Sequence, residues 1–326
     1  MSQLGWPYHC RNHLDSDVIS MRSEIPICDA HAPLTLPSMP ANLRDLDDWI
    51  DAREISHGDL KSDNQARIVW SIPSLPVRTP YALVYLHGFS ASQGEANPVH
   101  RELAAAIGAN LYLARLPGHG LSSEDAFRDL SARQWIEAAA EALAIGLRLG
   151  ERVILAGTSM GASLALLLAA EFPNLVDALL LWSPGIRAYD QTALDSACQR
   201  EGVVYRDQDA DPIRLKYWST SIHSDGLRAM ATLLAEWMVP GTFNKVRCPL
   251  LMGYFYQDTD HQDMTSSVSA MLAMLQSVST PAPSRRVIAY PDGAHALAAP
   301  SRSTAWQQLM HDSKTFLQER VIDDAR

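Results

Sequence analysis

Residues 152–170 read R-V-I-L-A-G-T-S-M-G-A-S-L-A-L-L-L-A-A. Residues 152–156 form a short, mainly apolar run of strand formers, and residues 162–170 are strong helix formers without a breaker. Between the two runs lies G-T-S-M-G, residues 157–161. The chain therefore carries a G-x-S-x-G pattern at a predicted strand-to-helix turn.

A serine in this setting has a defined chemical meaning, the nucleophile elbow. The turn is so sharp that the serine adopts strained backbone geometry, and the flanking glycines let the strand and the helix cross closely. The hydroxyl group is presented at a helix N-terminus, where free N–H groups and the helix dipole favour a developing anion. The pattern predicts that Ser159 is a nucleophile.

Strand-like and helix-like runs alternate on both sides of this turn. Strands are predicted over 66–72, 82–86, 111–115, 152–156, 178–182, 249–255 and 286–290, and helices from 43 and over 99–107, 131–149, 162–170, 268–275 and 306–320. This alternation predicts an α/β fold with a mostly parallel central sheet and helices on both faces.

Two stretches depart from the alternation. Residues 1–40 hold five prolines and no sustained period, which predicts an irregular N-terminal extension ahead of one domain over 41–326. After Pro184 the alternation stops for about sixty residues, and apolar residues from Leu227 to Met238 recur at helical spacing. We interpret residues from about 186 to 246 as a helical cap inserted into the domain.

Charge and hydropathy exclude several classes of partner. The chain of 326 residues has a formal net charge of −10, which argues against binding to nucleic acid or to an anionic membrane. No apolar run approaches the ~20 residues of a membrane span, so we expect no stable membrane insertion. The N-terminus lacks the features of a signal peptide, and we expect a cytoplasmic protein.

Functional groups in open α/β sheets collect at the carboxyl ends of the strands. Several candidates follow the predicted strands: His87, Gly88 and Phe89; then Ser159; then Asp258, Asp260 and Asp263; and finally Asp292 and His295. The chain order of serine, acid and histidine is the order of a serine hydrolase with a nucleophile elbow.

Each member of this set has a chemical reason to be present. A serine is a weak nucleophile without an adjacent base. A histidine side chain in general titrates near neutrality, so His295 could accept the proton and return it. A carboxylate would orient the imidazole and stabilise the imidazolium. The N–H groups of Met160 and Phe89 are the expected donors to a tetrahedral oxyanion.

Four motifs together resemble the α/β-hydrolase superfamily: H-G-F-S at 87–90, P-G-H-G at 117–120, G-T-S-M-G at 157–161 and G-A-H at 293–295. Over residues 66–320 the chain resembles small esterases and monoacylglycerol-lipase-like hydrolases. The resemblance implies serine-dependent hydrolysis of a small-molecule carboxylic ester through an acyl-enzyme, without metal or organic cofactor. The alternatives are a thioesterase, peptidase or acyltransferase with the same triad, or a non-catalytic ligand-binding protein of this fold.

The acid of the triad has two candidates. Asp258 lies nearer to the end of its predicted strand. Asp263 leads directly into the next helix, as the acid of the resembling hydrolases does, and it lies 295 − 263 = 32 positions before His295, against 37 for Asp258. We assign Asp263, with residues 256–262 as a loop excursion ahead of it.

Overall fold

Runs of β-branched and aliphatic residues form the strands of a central sheet in the computed structural model, which describes residues 33–206 and 210–322. The strands of the described chain are β1 (Arg67–Val69), β2 (Thr79–Leu86), β3 (Asn110–Leu113), β4 (Gly150–Thr158), β5 (Ala178–Trp182), β6 (Val203–Tyr205), β7 (Ser221–His223), β8 (Leu250–Phe255) and β9 (Arg285–Tyr290). Seven of them form one sheet in the order β1-β3-β2-β4-β5-β8-β9. Only β1 runs antiparallel to its neighbour within this sheet.

Helices occupy both faces of the sheet, as predicted. They are α1 (Leu43–Ile55), α2 (Val99–Ala106), α3 (Ala132–Leu149), α4 (Met160–Glu171), α5 (Gln191–Cys198), α6 (Pro212–Tyr217), α7 (Ser224–Thr232), α8 (Pro240–Phe243), α9 (Val268–Ser277) and α10 (Trp306–Leu317). A 3₁₀ turn covers Gln93–Ala96, and a π-helical turn covers Leu233–Trp237. The predicted α/β fold, with its mostly parallel sheet, is confirmed.

The alternation of side chains along β2 explains the layered core. Val84 and Leu86 point to the face that is covered by α3 and α4, whereas Leu83 and Tyr85 point to the face that is covered by α2 and α10. Successive residues of a strand face opposite sides, so a strand that is buried on both sides is apolar throughout. This burial holds the carboxyl ends of β2, β4, β8 and β9 in fixed register, and the candidate site lies at these ends.

The segment between β5 and β8 carries the cap. It contains α5, α6, α7, the π-helical turn and α8, and it also contains an antiparallel pair of strands, β6 and β7. The apolar periodicity from Leu227 to Met238 falls on α7 and the π-helical turn, and it indicates neither the other cap helices nor this small sheet. The cap limits of 186–246 stay a prediction.

The predicted extension over residues 1–40 lies mostly outside the described residues. The part that is described, residues 33–40, contains neither helix nor strand, and α1 begins at Leu43. The boundary between residues 40 and 41 stays a prediction. In the described parts of the chain, no helix is both long enough and apolar enough to cross a membrane.

Candidate active site

Ser159 occupies the sharp turn between β4 and α4. Its backbone has φ 52° and ψ −115°, a conformation that is strained for a residue with a side chain. The turn is held from both sides, because the Ser159 N–H donates to the Trp182 carbonyl at 2.9 Å and its own carbonyl accepts from the Gly185 N–H at 3.1 Å. The Ser163 hydroxyl also donates to the Ser159 carbonyl, at 3.1 Å. These bonds maintain the strain and place Ser159 at the N-terminus of α4.

The two glycines of the motif are required by close backbone approach. A Cβ on Gly157 would lie 2.4 Å from the Gly161 carbonyl carbon, and a Cβ on Gly161 would lie 2.0 Å from the Leu86 carbonyl oxygen. Both contacts are with backbone atoms, which cannot move away as a flexible side chain could, so a larger residue at either position would clash. The spacing of G-x-S-x-G thus follows from the crossing of α4 over β4 and the end of β2.

Asp263 reaches the end of β8 although it comes eight positions after Phe255. Its N–H donates to the carbonyl of Phe255, the last residue of β8, at 3.1 Å. The intervening residues loop outward and close on themselves through an antiparallel bridge between Tyr256 and Gln262. The Asp263 carboxylate is fully buried and accepts from the Thr265 and Ser266 N–H groups, both at 2.9 Å.

The structure brings Asp263 to His295. The His295 Nδ1 lies 2.7 Å from the Asp263 Oδ2, so that Nδ1–H donates to the carboxylate and Nε2 keeps its lone pair. Burial lowers the pKa of His295, but the charge and hydrogen bond of Asp263, together with the charge of Glu95, outweigh it. The net shift of the His295 pKa is upward from 6.5.

Asp258 lies apart from this pair. It is exposed, and its carboxylate caps its own turn by accepting from the N–H groups of Asp260 and His261. The Nδ1 of His261 lies 2.9 Å from the same carboxylate. The Asp258 carboxylate is therefore engaged within its own loop.

The N–H of Phe89 lies in the loop that follows β2. The Gly88 carbonyl, in the same peptide group, accepts from the His87 Nδ1 at 3.0 Å and from the Ala91 N–H at 3.1 Å. Because a trans peptide is planar, these bonds turn the Phe89 N–H to the opposite side. Among the described residues this N–H has no hydrogen-bond partner, which leaves it available to a ligand.

Two further histidines, His87 and His119, contact this loop, and burial keeps both side chains neutral. Burial lowers the pKa of His87 to about 4, and its Nε2 accepts from the Leu116 N–H at 3.0 Å. Burial also lowers the pKa of His119 well below its ordinary value. The His119 ring packs edge-on against Phe89 and Phe127. These contacts support the loop and leave His295 as the candidate base.

Sequence reasoning missed one polar residue near this loop, Glu95. Its Oε1 accepts from the Gly88 N–H at 2.6 Å and from the Tyr85 hydroxyl at 2.9 Å. Glu95 stands in S-A-S-Q-G-E-A, a stretch without recognisable periodicity, so no pattern marked it as buried. Across residues 33–206 and 210–322, no three histidine, cysteine, aspartate or glutamate side chains are grouped as a metal site requires.

Comparison with known proteins assigns the chain to a family. A family model described as "Alpha/beta hydrolase family" matches residues 83–308, a range that includes the elbow, both aspartates and His295. The chain belongs to the α/β hydrolase family. This hydrolase is also 27% identical, over 190 residues, to the thermostable monoacylglycerol lipase of Bacillus sp. (strain H-257), covering 56% of the chain and 71% of that lipase.

Solved structures with the same fold include lipolytic enzymes. One, from the work on LipS and LipT, two metagenome-derived lipolytic enzymes, matches with a TM-score of 0.66 at 13% identity, over 80% of this hydrolase and 99% of that chain. The monoacylglycerol lipase of Paleococcus ferrophilus matches with a TM-score of 0.59 at 11% identity. The match covers 77% of this hydrolase and 97% of that lipase chain. At these identities the likeness shows the fold, and the hydrolase resembles lipases and esterases in family and architecture.

Proposed function

We propose that this hydrolase is a serine esterase that cleaves carboxylic esters through an acyl-enzyme intermediate. The observation that carries the proposal is the strained backbone of Ser159, with φ 52°, at a turn that many hydrogen bonds maintain. A packing turn would relieve this strain with a glycine or a different loop, whereas a nucleophile needs it for presentation. The Asp263–His295 pair supports the proposal.

In the first half of the reaction, the Ser159 hydroxyl oxygen attacks the ester carbonyl carbon while the His295 Nε2 takes its proton. The carbonyl oxygen becomes an oxyanion that accepts from the N–H groups of Phe89 and Met160. Met160 is the first residue of α4, so its N–H belongs to the helix turn whose donors have no helical partner. The protonated His295 then passes its proton to the departing alkoxide, and an alcohol leaves.

In the second half, water attacks the acyl-enzyme and His295 takes the proton from that water. Collapse of the second tetrahedral intermediate breaks the bond to the Ser159 oxygen, which regains a proton from His295 as the carboxylic acid is released. Throughout, Asp263 acts through His295, because its Oδ2 holds Nδ1–H and leaves Nε2 directed to the reaction.

Replacement of Ser159 by alanine tests the proposal. We expect kcat for p-nitrophenyl butyrate to fall on the order of a million-fold, because serine and histidine act as one unit. A fluorophosphonate probe should label wild type at Ser159, as read by peptide mass spectrometry, and should not label Ser159→Ala. The matched control is Ser301→Ala, which alters an exposed serine and should leave both readouts unchanged.

The same experiment separates an enzyme from a ligand-binding protein of this fold. A folded wild-type protein that neither reacts with the probe nor hydrolyses any activated ester would support the binding protein and contradict the proposal. Hydrolysis that survives in folded Ser159→Ala within tenfold of wild type would contradict the mechanism. Circular dichroism and a melting curve for each variant establish that the protein is folded.

A further inference from the structure

Glu95 is a buried carboxylate that the mechanism above does not use. It lies on the 3₁₀ turn Gln93–Ala96 and is almost inaccessible to solvent. A buried carboxylate has lost the hydration that favours its charged form, and burial accordingly raises the pKa of Glu95 to about 7 despite its hydrogen bonds. Burial of such a polar group is costly, so the hydrogen bonds that Glu95 makes call for a functional reason.

The Glu95 carboxylate is hydrogen-bonded to the loop that contains the Phe89 N–H. Its Oε1 accepts from the Gly88 N–H at 2.6 Å, which fixes the peptide group next to that of Phe89. A Cβ on Gly88 would lie 3.4 Å and 3.5 Å from the two Glu95 carboxylate oxygens. These are ordinary van der Waals distances, so the carboxylate packs directly against Gly88, and a shift of the carboxylate would move the Gly88 N–H that it holds.

A second set of contacts ties Glu95 to the base of the elbow. The Tyr85 hydroxyl donates to Glu95 Oε1 at 2.9 Å and lies 3.0 Å from the Thr158 hydroxyl. Because the Tyr85 proton is directed to Glu95, the Thr158 hydroxyl is the donor in the second bond. Thr158 immediately precedes Ser159, so one hydrogen-bonded chain joins the loop after β2 to the end of β4.

The cap closes over this carboxylate. The Tyr217 ring lies so near to Gly94 that a Cβ there would meet it at 2.1 Å, and the Tyr217 hydroxyl donates to Asp63 at 2.6 Å. The Ser219 N–H, in turn, donates to the Ser90 carbonyl at 2.7 Å. These contacts cover the loop, in which Glu95 is almost inaccessible to solvent.

The groups whose charge or titration bears on Glu95 and its partner Tyr85 come from several elements. They are Tyr85 itself on β2, His100 on α2, Arg214 and Tyr217 on α6, and His295 after β9. His100 stays neutral, because burial lowers its pKa to about 3. The charge of Glu95 favours protonated His295, and the charge of Arg214 favours ionised Glu95.

We propose that Glu95 is a positioning residue for the esterase. Its carboxylate oxygen holds the Gly88 N–H, and this bond orients the adjoining Gly88–Phe89 peptide, whose N–H donates to the oxyanion. The proposal rests on the proposed function, since it acts through the N–H of Phe89.

Two substitutions test this contact. Glu95→Gln keeps the length of the side chain and an acceptor oxygen, so kcat should stay within about threefold of wild type. Glu95→Asp keeps the charge but cannot reach the Gly88 N–H, so kcat should fall roughly tenfold to a hundredfold with little change in KM.

The control is Glu102→Gln, which removes the same charge from an exposed position on the neighbouring helix α2 and should behave as wild type. The measurements are kcat and KM for p-nitrophenyl butyrate in the full chain. A wild-type kcat in folded Glu95→Asp, or a loss of kcat in Glu95→Gln as large as that in Glu95→Asp, overturns the proposal. If Glu95→Asp does not fold, Glu95→Gln decides, and a loss of kcat of about tenfold or more in that variant overturns the proposal.

This outcome is distinguishable from failure of the esterase itself. Wild type that reacts with the fluorophosphonate probe at Ser159 while the Glu95 variants match the control leaves the proposed function intact and removes only the role of Glu95. Wild type without labelling or ester hydrolysis removes the proposed function first, and the role of Glu95 with it.

Discussion

Asp258 and Asp263 lie five positions apart in one loop, yet their surroundings are opposite. The Asp258 side chain is 50% exposed and interacts within its own turn and with His261, whereas the Asp263 side chain is 0% exposed and binds His295, thirty-two positions away. Water screens the first pair, so it contributes little, while the second pair is desolvated and supported by two backbone donors. Nearness to a strand end in sequence therefore does not decide which aspartate contacts His295, because the chain returns to the end of β8 only at Asp263.

Replacement of each aspartate by asparagine should show the largest difference between the two residues. Asp263→Asn should lower kcat by roughly 10⁴-fold, because the amide cannot hold the correct tautomer of His295. Asp258→Asn should stay within about twofold of wild type, with a melting temperature within about 2 °C. Both variants are to be measured on one activated ester, after circular dichroism has shown that they fold. A severe loss in Asp258→Asn beside a near-normal Asp263→Asn would reverse the assignment.

The two asparagine variants should also differ, by a smaller amount, in the pKa of His295. The pKa of His295 is raised from 6.5, and in the proposed mechanism its neutral imidazole is the base, so kcat/KM should rise with pH through a midpoint above 6.5. Asp263→Asn removes the main group that opposes burial, so the His295 pKa should fall, whereas Asp258→Asn should leave it unchanged. Proton NMR of the imidazole signal, assigned with His295→Asn, measures each midpoint. Equal midpoints in wild type and Asp263→Asn would show that the buried carboxylate does not control the base.

The smallest effect is expected from removal of the outward loop. Tyr256 and Gln262 form an antiparallel bridge, so the five residues 257–261 can be replaced by Asn-Gly, the dipeptide suited to a two-residue hairpin. The contacts of Asp263 with Phe255 and His295 do not involve the deleted residues, and kcat/KM should stay within about fivefold of wild type. A loss of a thousandfold or more in a folded variant would mean that the Asp258 turn takes part in the site.

Much of the fold and part of the site could be predicted from local patterns. The strands and helices follow from apolar runs and their periods, and β5 was predicted to the residue over 178–182. Ser159 was marked by its motif, and His295 by its place after the last strand. The cap sheet of β6 and β7 was not predicted, because three-residue strands carry too little alternation to be seen.

Local patterns in the sequence are enough to predict the individual strands and helices and the turn at Ser159, because each of these is encoded in a short stretch of residues. Burial of Glu95 and the pairing of His295 with Asp263 rather than Asp258 depend on contacts between distant parts of the chain. Glu95 is enclosed by Tyr85 and by Tyr217 from the cap, and Asp263 is enclosed where the chain returns to β8 beside His295. The pKa and the hydrogen bonds of a buried carboxylate depend on the groups that replace its hydration water, and here those groups come from distant parts of the chain.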